Sequence, residues 1–174
     1  MNKIRLALIA GGTSGERDIS LQGAAQTEQA LNKDKYEVVR YDPATDLARL
    51  VADAEQLDAA FILLHGIHGE DGTVQGLLEL LGIPYQGAGV LGSALAMDKN
   101  LAKTLYRLHE LPVADWEMAR KEHIADPSPL LDKLSLPVVV KPIRQGSSLG
   151  MSIARKTEQL APALATAFEH DNQV

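Results

Sequence analysis

Three short apolar runs, at Ile4–Ala10, Glu37–Tyr41 and Ala59–Leu64, alternate with helical segments at Ile19–Leu31, Leu47–Ala54 and Thr73–Leu81. A strand covered on both faces reads as a continuous apolar run, and its parallel neighbour is reached only through a crossover, usually a helix. The alternation therefore predicts an α/β fold built on a parallel, doubly wound sheet. In the first helix Ile19, Gly23, Thr27 and Ala30 can share one face. Gly82 follows the third helix as a left-handed cap. About four strands are expected before residue 97.

The pattern then changes. "GAGVLGSALAMDKNLAKTLYRLHE" is rich in small residues and then becomes an amphipathic helix that stops at Leu111-Pro112. Val113–Ala119 is a predicted strand and Leu130–Leu134 a predicted helical turn. Val138–Lys141 and Leu149–Ala154 should pair antiparallel around a Gly-Ser loop, and Thr157–Phe168 is the last helix. A boundary near 97–99 divides the chain into domains 1–97 and 98–174. Two strands alone are marginal in water, so 98–174 is expected not to close on itself and to expose valines and leucines.

Composition narrows the function. The net charge of −6 argues against nucleic-acid binding, which needs a basic face. The absence of cysteine excludes disulfides, thiolate metal sites and a cysteine nucleophile. The opening "MNKIRLALIAGG" is too short in its apolar part for a signal peptide, and no segment approaches a membrane span of about 20 apolar residues. A cytoplasmic protein is expected, without membrane or nucleic-acid partners.

Four loops could carry chemistry. "GGTSGERDIS" (11–20) follows the first strand and opens a helix, but it has neither dinucleotide nor phosphate-loop spacing. Glu16 at its tip suits an ammonium group; equally, Glu16 and Asp18 could serve the helix N-terminus. "HGIHGEDGTVQG" (65–76) leaves the third strand, so it should meet the first loop at the sheet's carboxyl edge. His65 and His68 lack the helical frame that aims metal-binding histidines, and no metal site is expected. Asp71 is placed to cap the next helix, which leaves His65 and Glu70 for another task. In "AMDKNLAK", Lys99 opposes the helix dipole, as a residue with an anionic partner or as a solvated lysine. In "VVVKPIRQGSSLG" an apolar strand delivers Lys141 and Arg144 into a loop of Gly146, Ser147, Ser148 and Gly150, a candidate anion cradle.

In order and spacing, "GGTSGERDIS", "HGIHGEDGTVQGLLELLGIPYQGAGVLGSALAMDK" and "PVVVKPIRQGSSLG" resemble the D-alanine–D-alanine ligases of the ATP-grasp superfamily. The resemblance covers essentially the whole chain. It implies a Rossmann-like substrate-binding domain (1–97) followed by the first, incomplete α+β subdomain of an ATP-grasp fold (98–174). The implied activity is ATP-dependent joining of two D-alanines for peptidoglycan, and hence for cell-wall formation and cell shape. By that resemblance Glu16 anchors the first D-alanine's ammonium, and Ser147 joins a hydrogen-bond network with Glu16. His65 and Glu70 line the D-alanine pocket. Lys99 and Lys141 contact the ATP phosphates, under a lid containing Gly146, Ser147 and Ser148. The resemblance also implies Mg²⁺, with ligands expected beyond Val174, and allows a homodimer. The family's remaining ATP-grasp parts, including those that choose D-alanine, D-lactate or D-serine as second substrate, have no counterpart in the 174 residues, so this chain is expected to be inactive alone. The competing reading is a non-catalytic module for an amino acid or nucleotide, or a subunit completed by another chain.

Overall fold

The computed structural model describes residues 3–174. The chain forms two compact units, Met1–Ala94 and Leu95–Val174.

The first unit is built on strands β1 (Ile4–Ile9), β2 (Tyr36–Tyr41) and β3 (Ala59–Ile62). They form a parallel sheet of order β2-β1-β3, with Ile9 opposite both Tyr41 and Ile62. β1 is central, and successive residues supply opposite faces, as a period of two requires. Ala7 and Ile9 pack with Leu50, Val74 and Leu78 on one side. Leu8 and Ala10 pack with Ala24 on the other. The covering residues come from helices α1 (Arg17–Ala30), α2 (Leu47–Asp53) and α3 (Thr73–Leu80).

Two details differ from the sequence pattern. The buried stripe of α1 is Ser20 and Ala24, while Ile19 is 57% exposed. The helix is turned so that the Ser20 hydroxyl can reach backbone groups at the ends of β1 and β3. Among the described residues of this unit a fourth strand does not form. Only Ala60 bridges to Tyr85, and Pro84, lacking an N–H, cannot extend a ladder. The amide of Gln86 takes over instead, accepting from the Ile62 N–H at 2.9 Å and donating to the Ile62 carbonyl at 2.8 Å.

Helix α4 (Val90–Met97) precedes α5 (Lys99–Leu108), whose first turn is capped by Asp98 accepting from the Leu101 N–H at 2.9 Å. The second unit continues with α6 (Ser128–Leu131), the antiparallel pair β4 (Val138–Val140) and β5 (Ser152–Ala154), and α7 (Leu160–Phe168). Residues 113–119 are not a strand: their last N–H, that of Ala119, bonds to the Val174 carbonyl at 2.8 Å, and no ladder develops. Contrary to expectation, the two-stranded segment does close on itself. α7 supplies Leu160, Ala163, Leu164 and Ala167, and the chain returns to bury Val174, covering the inner face of Val140 and Ala154. The outer face, with Val139 opposite Ile153, stays about half exposed.

Candidate functional site

The first unit gathers two loops at the carboxyl ends of its strands. Beyond β1 the backbone turns through Gly11 and Gly12, both at positive φ. A Cβ at Gly11 would lie 2.6 Å from the Asp42 carboxylate, so only glycine fits there. Asp42 accepts from the Gly12 and Ala44 N–H groups, each at 2.9 Å, and from the Arg17 guanidinium at 2.5 Å. Burial by itself would raise the Asp42 carboxyl; the bonds from Arg17, Gly12 and Ala44 outweigh it and hold the group below its ordinary range. Ser20, fully buried, donates to the Leu63 carbonyl at 2.6 Å and accepts from the Gly11 N–H at 2.8 Å. One hydroxyl thus fastens the loop after β1 to the segment leaving β3.

Glu16 stands at the N-cap of α1, 9% exposed, with no side-chain bond to the helix end. Its carboxylate lies against Gly66: a Cβ on that glycine would come within 2.8 Å of Glu16 Oε2. Ser14 Oγ donates to the His65 carbonyl at 2.8 Å and accepts from the Glu16 N–H at 3.2 Å. Glu16 and His65 are therefore brought to one place, as the topology predicts. Glu70 is exposed and accepts from the Gly66 N–H at 2.7 Å, so its carboxylate shapes its own loop. Asp71 accepts from the His68 and Thr73 N–H groups at 2.9 and 3.0 Å, and Gly72 occupies the N-cap itself.

The second unit holds the cationic candidates. Lys99, the first residue of α5, donates from Nζ to the carbonyls of Ile143 (3.1 Å) and Gln145 (2.5 Å). Burial lowers the Lys99 ammonium from its ordinary range, and Lys141 lowers it further, against the pull of Asp171 and Asp98. Lys141 directly follows β4 and is exposed. The loop beyond it turns on two consecutive non-glycine residues at positive φ, Ser147 (45°) and Ser148 (63°), and then Gly150 (67°). Such backbone costs of order 1 kcal/mol or more per residue and collects at ligand-handling loops. Gly146 anchors the turn, its carbonyl accepting from the Leu149 N–H at 3.0 Å.

Lys99 and Lys141 line a cleft of about 810 Å³, together with Lys103, Trp116 and Leu164 among others. Lys103 was not among the residues read from sequence. It lies 4.8 Å above the Trp116 ring, one turn along α5 from Lys99, and burial and then Lys141 lower its ammonium. The i, i+4 spacing from Lys99 was its one visible signal. Ser20, Asp42 and Asp171 carried none, because each acts on backbone distant in sequence.

The chain's likeness to known proteins agrees with both units. The family model described as D-ala D-ala ligase N-terminus matches residues 42–88, and that described as D-ala D-ala ligase C-terminus matches 105–174. A D-alanine--D-alanine ligase of Desulfotalea psychrophila is 61% identical over 158 residues, which are 91% of this chain and 49% of that protein. The crystal structure of D-alanine--D-alanine ligase from Bacillus anthracis aligns with a TM-score of 0.86 at 39% identity, covering 98% of this chain and 55% of that one. The same enzyme complexed with ATP aligns at 0.84 and 38%, over 98% and 56%. The chain spans about half the length of the curated relatives it matches. Matched in both units and along nearly all its length, it belongs to the D-alanine–D-alanine ligase family.

Proposed function

We propose that this chain supplies the amino-acid-binding and phosphate-binding parts of an ATP-dependent ligase that joins two D-alanines for peptidoglycan in the cytoplasm. Residues 1–97 act as the Rossmann-like substrate domain and 98–174 as the N-terminal subdomain of an ATP-grasp layer. The observation that carries this reading is the Lys99 ammonium, held by the carbonyls of Ile143 and Gln145 in a cleft that Lys141 also lines. The crystallised relative from Bacillus anthracis with ATP supports the nucleotide as its ligand.

A carboxylate is a poor electrophile. Transfer of the terminal phosphoryl group of ATP to the first D-alanine's carboxylate converts it to an acyl phosphate. The second D-alanine's amine then attacks that carbonyl, and phosphate departs as the amide forms. Lys99 and Lys141 place positive charge where phosphate oxygens gather it, in a partly dry cleft where such charge acts strongly. Ser147, Ser148 and the N–H groups around Gly146 cover the phosphates. Glu16 pairs with the ammonium of the first D-alanine, beside His65, while Glu70 maintains the loop that carries His65. The described residues contain no group of three His, Cys, Asp or Glu able to hold a metal ion.

Trp116 is the sole tryptophan and lines the cleft. Titration of the chain with ATP should change its emission saturably, and Lys141→Ala should weaken that response at least tenfold. Emission unmoved by ATP, with no heat of binding by calorimetry, would overturn the nucleotide assignment.

A further inference from the structure

The carboxylate of Asp171 is 6% exposed, and outside its own turn its hydrogen bonds go to one residue, Arg144. Asp171 Oδ2 accepts from the Arg144 backbone N–H at 2.8 Å, and Oδ1 accepts from the Arg144 guanidinium at 3.3 Å. Oδ1 also accepts from the Gln173 N–H at 3.1 Å, which holds the carboxylate on its own turn. The neighbours of Asp171 repeat the grip. Asn172 Oδ1 accepts from the Arg144 guanidinium at 3.0 Å, the His170 carbonyl from Gln145 Nε2 at 2.9 Å, and the Gln173 carbonyl from the Ile143 N–H at 3.0 Å.

The donors of 143–145 thus point to residues 170–173, while the carbonyls of Ile143 and Gln145 point to the Lys99 ammonium. Three residues of loop backbone stand between an acid and a lysine. The far end of the loop rests on the same segment: a Cβ at Gly150 would lie 2.6 Å from His170 Cδ2. A loop that merely reversed direction would not need a nearly buried carboxylate, whose desolvation has to be offset by several well-formed hydrogen bonds.

We propose that Asp171 is a positioning residue for Lys99: it fixes residues 143–145 so that their carbonyls hold the lysine ammonium in the cleft. The inference rests on the phosphate-binding reading of Lys99 for its functional meaning, but the positioning itself is measurable without nucleotide.

The test uses the whole 174-residue chain as wild type, Asp171→Asn and Asp171→Ala. Trypsin needs a released guanidinium to cut after Arg144. Asp171→Ala should raise the rate of cleavage at Arg144 by about 10- to 100-fold, the scale of a lost charge-assisted pair. Asp171→Asn keeps the shape and an acceptor for the Arg144 N–H, and should fall between. The second readout is the pH profile of amine labelling at Lys99, followed by mass spectrometry. The ionisable groups acting on Lys99 are Lys141, Asp171 and Asp98. Removing the Asp171 charge leaves the Lys141 repulsion less opposed, so the Lys99 profile in Asp171→Asn should move to lower pH. The profiles of exposed Lys121 and Lys156 should stay in place. If Asp171→Ala does not fold, Asp171→Asn decides. Wild-type cleavage at Arg144 together with a wild-type Lys99 profile overturns the proposal. Tripolyphosphate separates the two readings. Protection of Lys99 in wild type, weakened in Asp171→Asn, supports both. A Lys99 that tripolyphosphate never protects, in a chain whose cleavage at Arg144 still accelerates in the variants, upholds the positioning and removes the nucleotide reading.

Discussion

At the scale of single residues, the first unit depends on polar groups that face inward. Ser20 answers two backbone groups at once, the Gly11 N–H and the Leu63 carbonyl. Ser20→Ala would leave both without a side-chain partner in a dry position, at about 1–3 kcal/mol each. The expected fall in Tm is several degrees, measured by circular dichroism, with Ser20→Thr recovering part of it. Asp42 is the second such group. Its carboxyl is held below its ordinary range, so its contribution is complete above the unfolded-state value and is lost as pH falls through the lower folded-state one. Acid titration of wild type should show that loss in the window below 3.8, the ordinary value of an aspartate carboxyl, whereas Asp42→Asn should be less stable at neutral pH and flatter below it. Glu16 makes no side-chain cap bond at the N-terminus of α1. Glu16→Gln should raise the Kd for D-alanine by about 10- to 100-fold, the size of a charge-assisted hydrogen bond, and leave the Kd for ATP unchanged, both by calorimetry.

At the scale of elements, the second unit shows how a two-stranded layer can stand. β4 and β5 put Val140 and Ala154 inward, where the apolar stripe of α7 meets them, and Val139 and Ile153 outward. Leu164 is at the centre of that contact, 1% exposed. Leu164→Ala should cost about 2–5 kcal/mol through lost burial and the cavity left behind. The check is limited proteolysis, with new cuts confined to Leu95–Val174 and the first unit still resistant. The antiparallel pairing was legible from two apolar runs around a Gly-Ser loop; the cover on the inward pair was not. It comes from α7 and from Val174, which is in contact only because the chain returns to Ala119 and Ile143 through backbone bonds.

At the scale of the whole molecule, an acidic chain carries a local cationic cleft. The net charge of −6 argues against nucleic-acid binding but says nothing of Lys99, Lys103 and Lys141 lining one space. Lys141→Ala should weaken ATP binding by roughly 10- to 1000-fold, with little change in melting, because Lys141 is exposed and follows the strand rather than holding it. A variant that melts early with unchanged ATP affinity would mark the lysine as structural. The sequence by itself determined the parallel α/β order of the first unit, the antiparallel pair of the second and the placement of Glu16, His65, Lys99 and Lys141 at element ends. Those follow from apolar period, glycine punctuation and chain order, which are local properties. Tertiary structure alone decided which face of α1 is buried, that Gln86 stands in for a fourth strand, and that Asp42 and Asp171 govern loops about 30 residues away. Each is a hydrogen bond between a side chain and distant backbone. No periodicity records such a bond, because its partner is set by where the folded chain returns, not by what lies beside it in sequence.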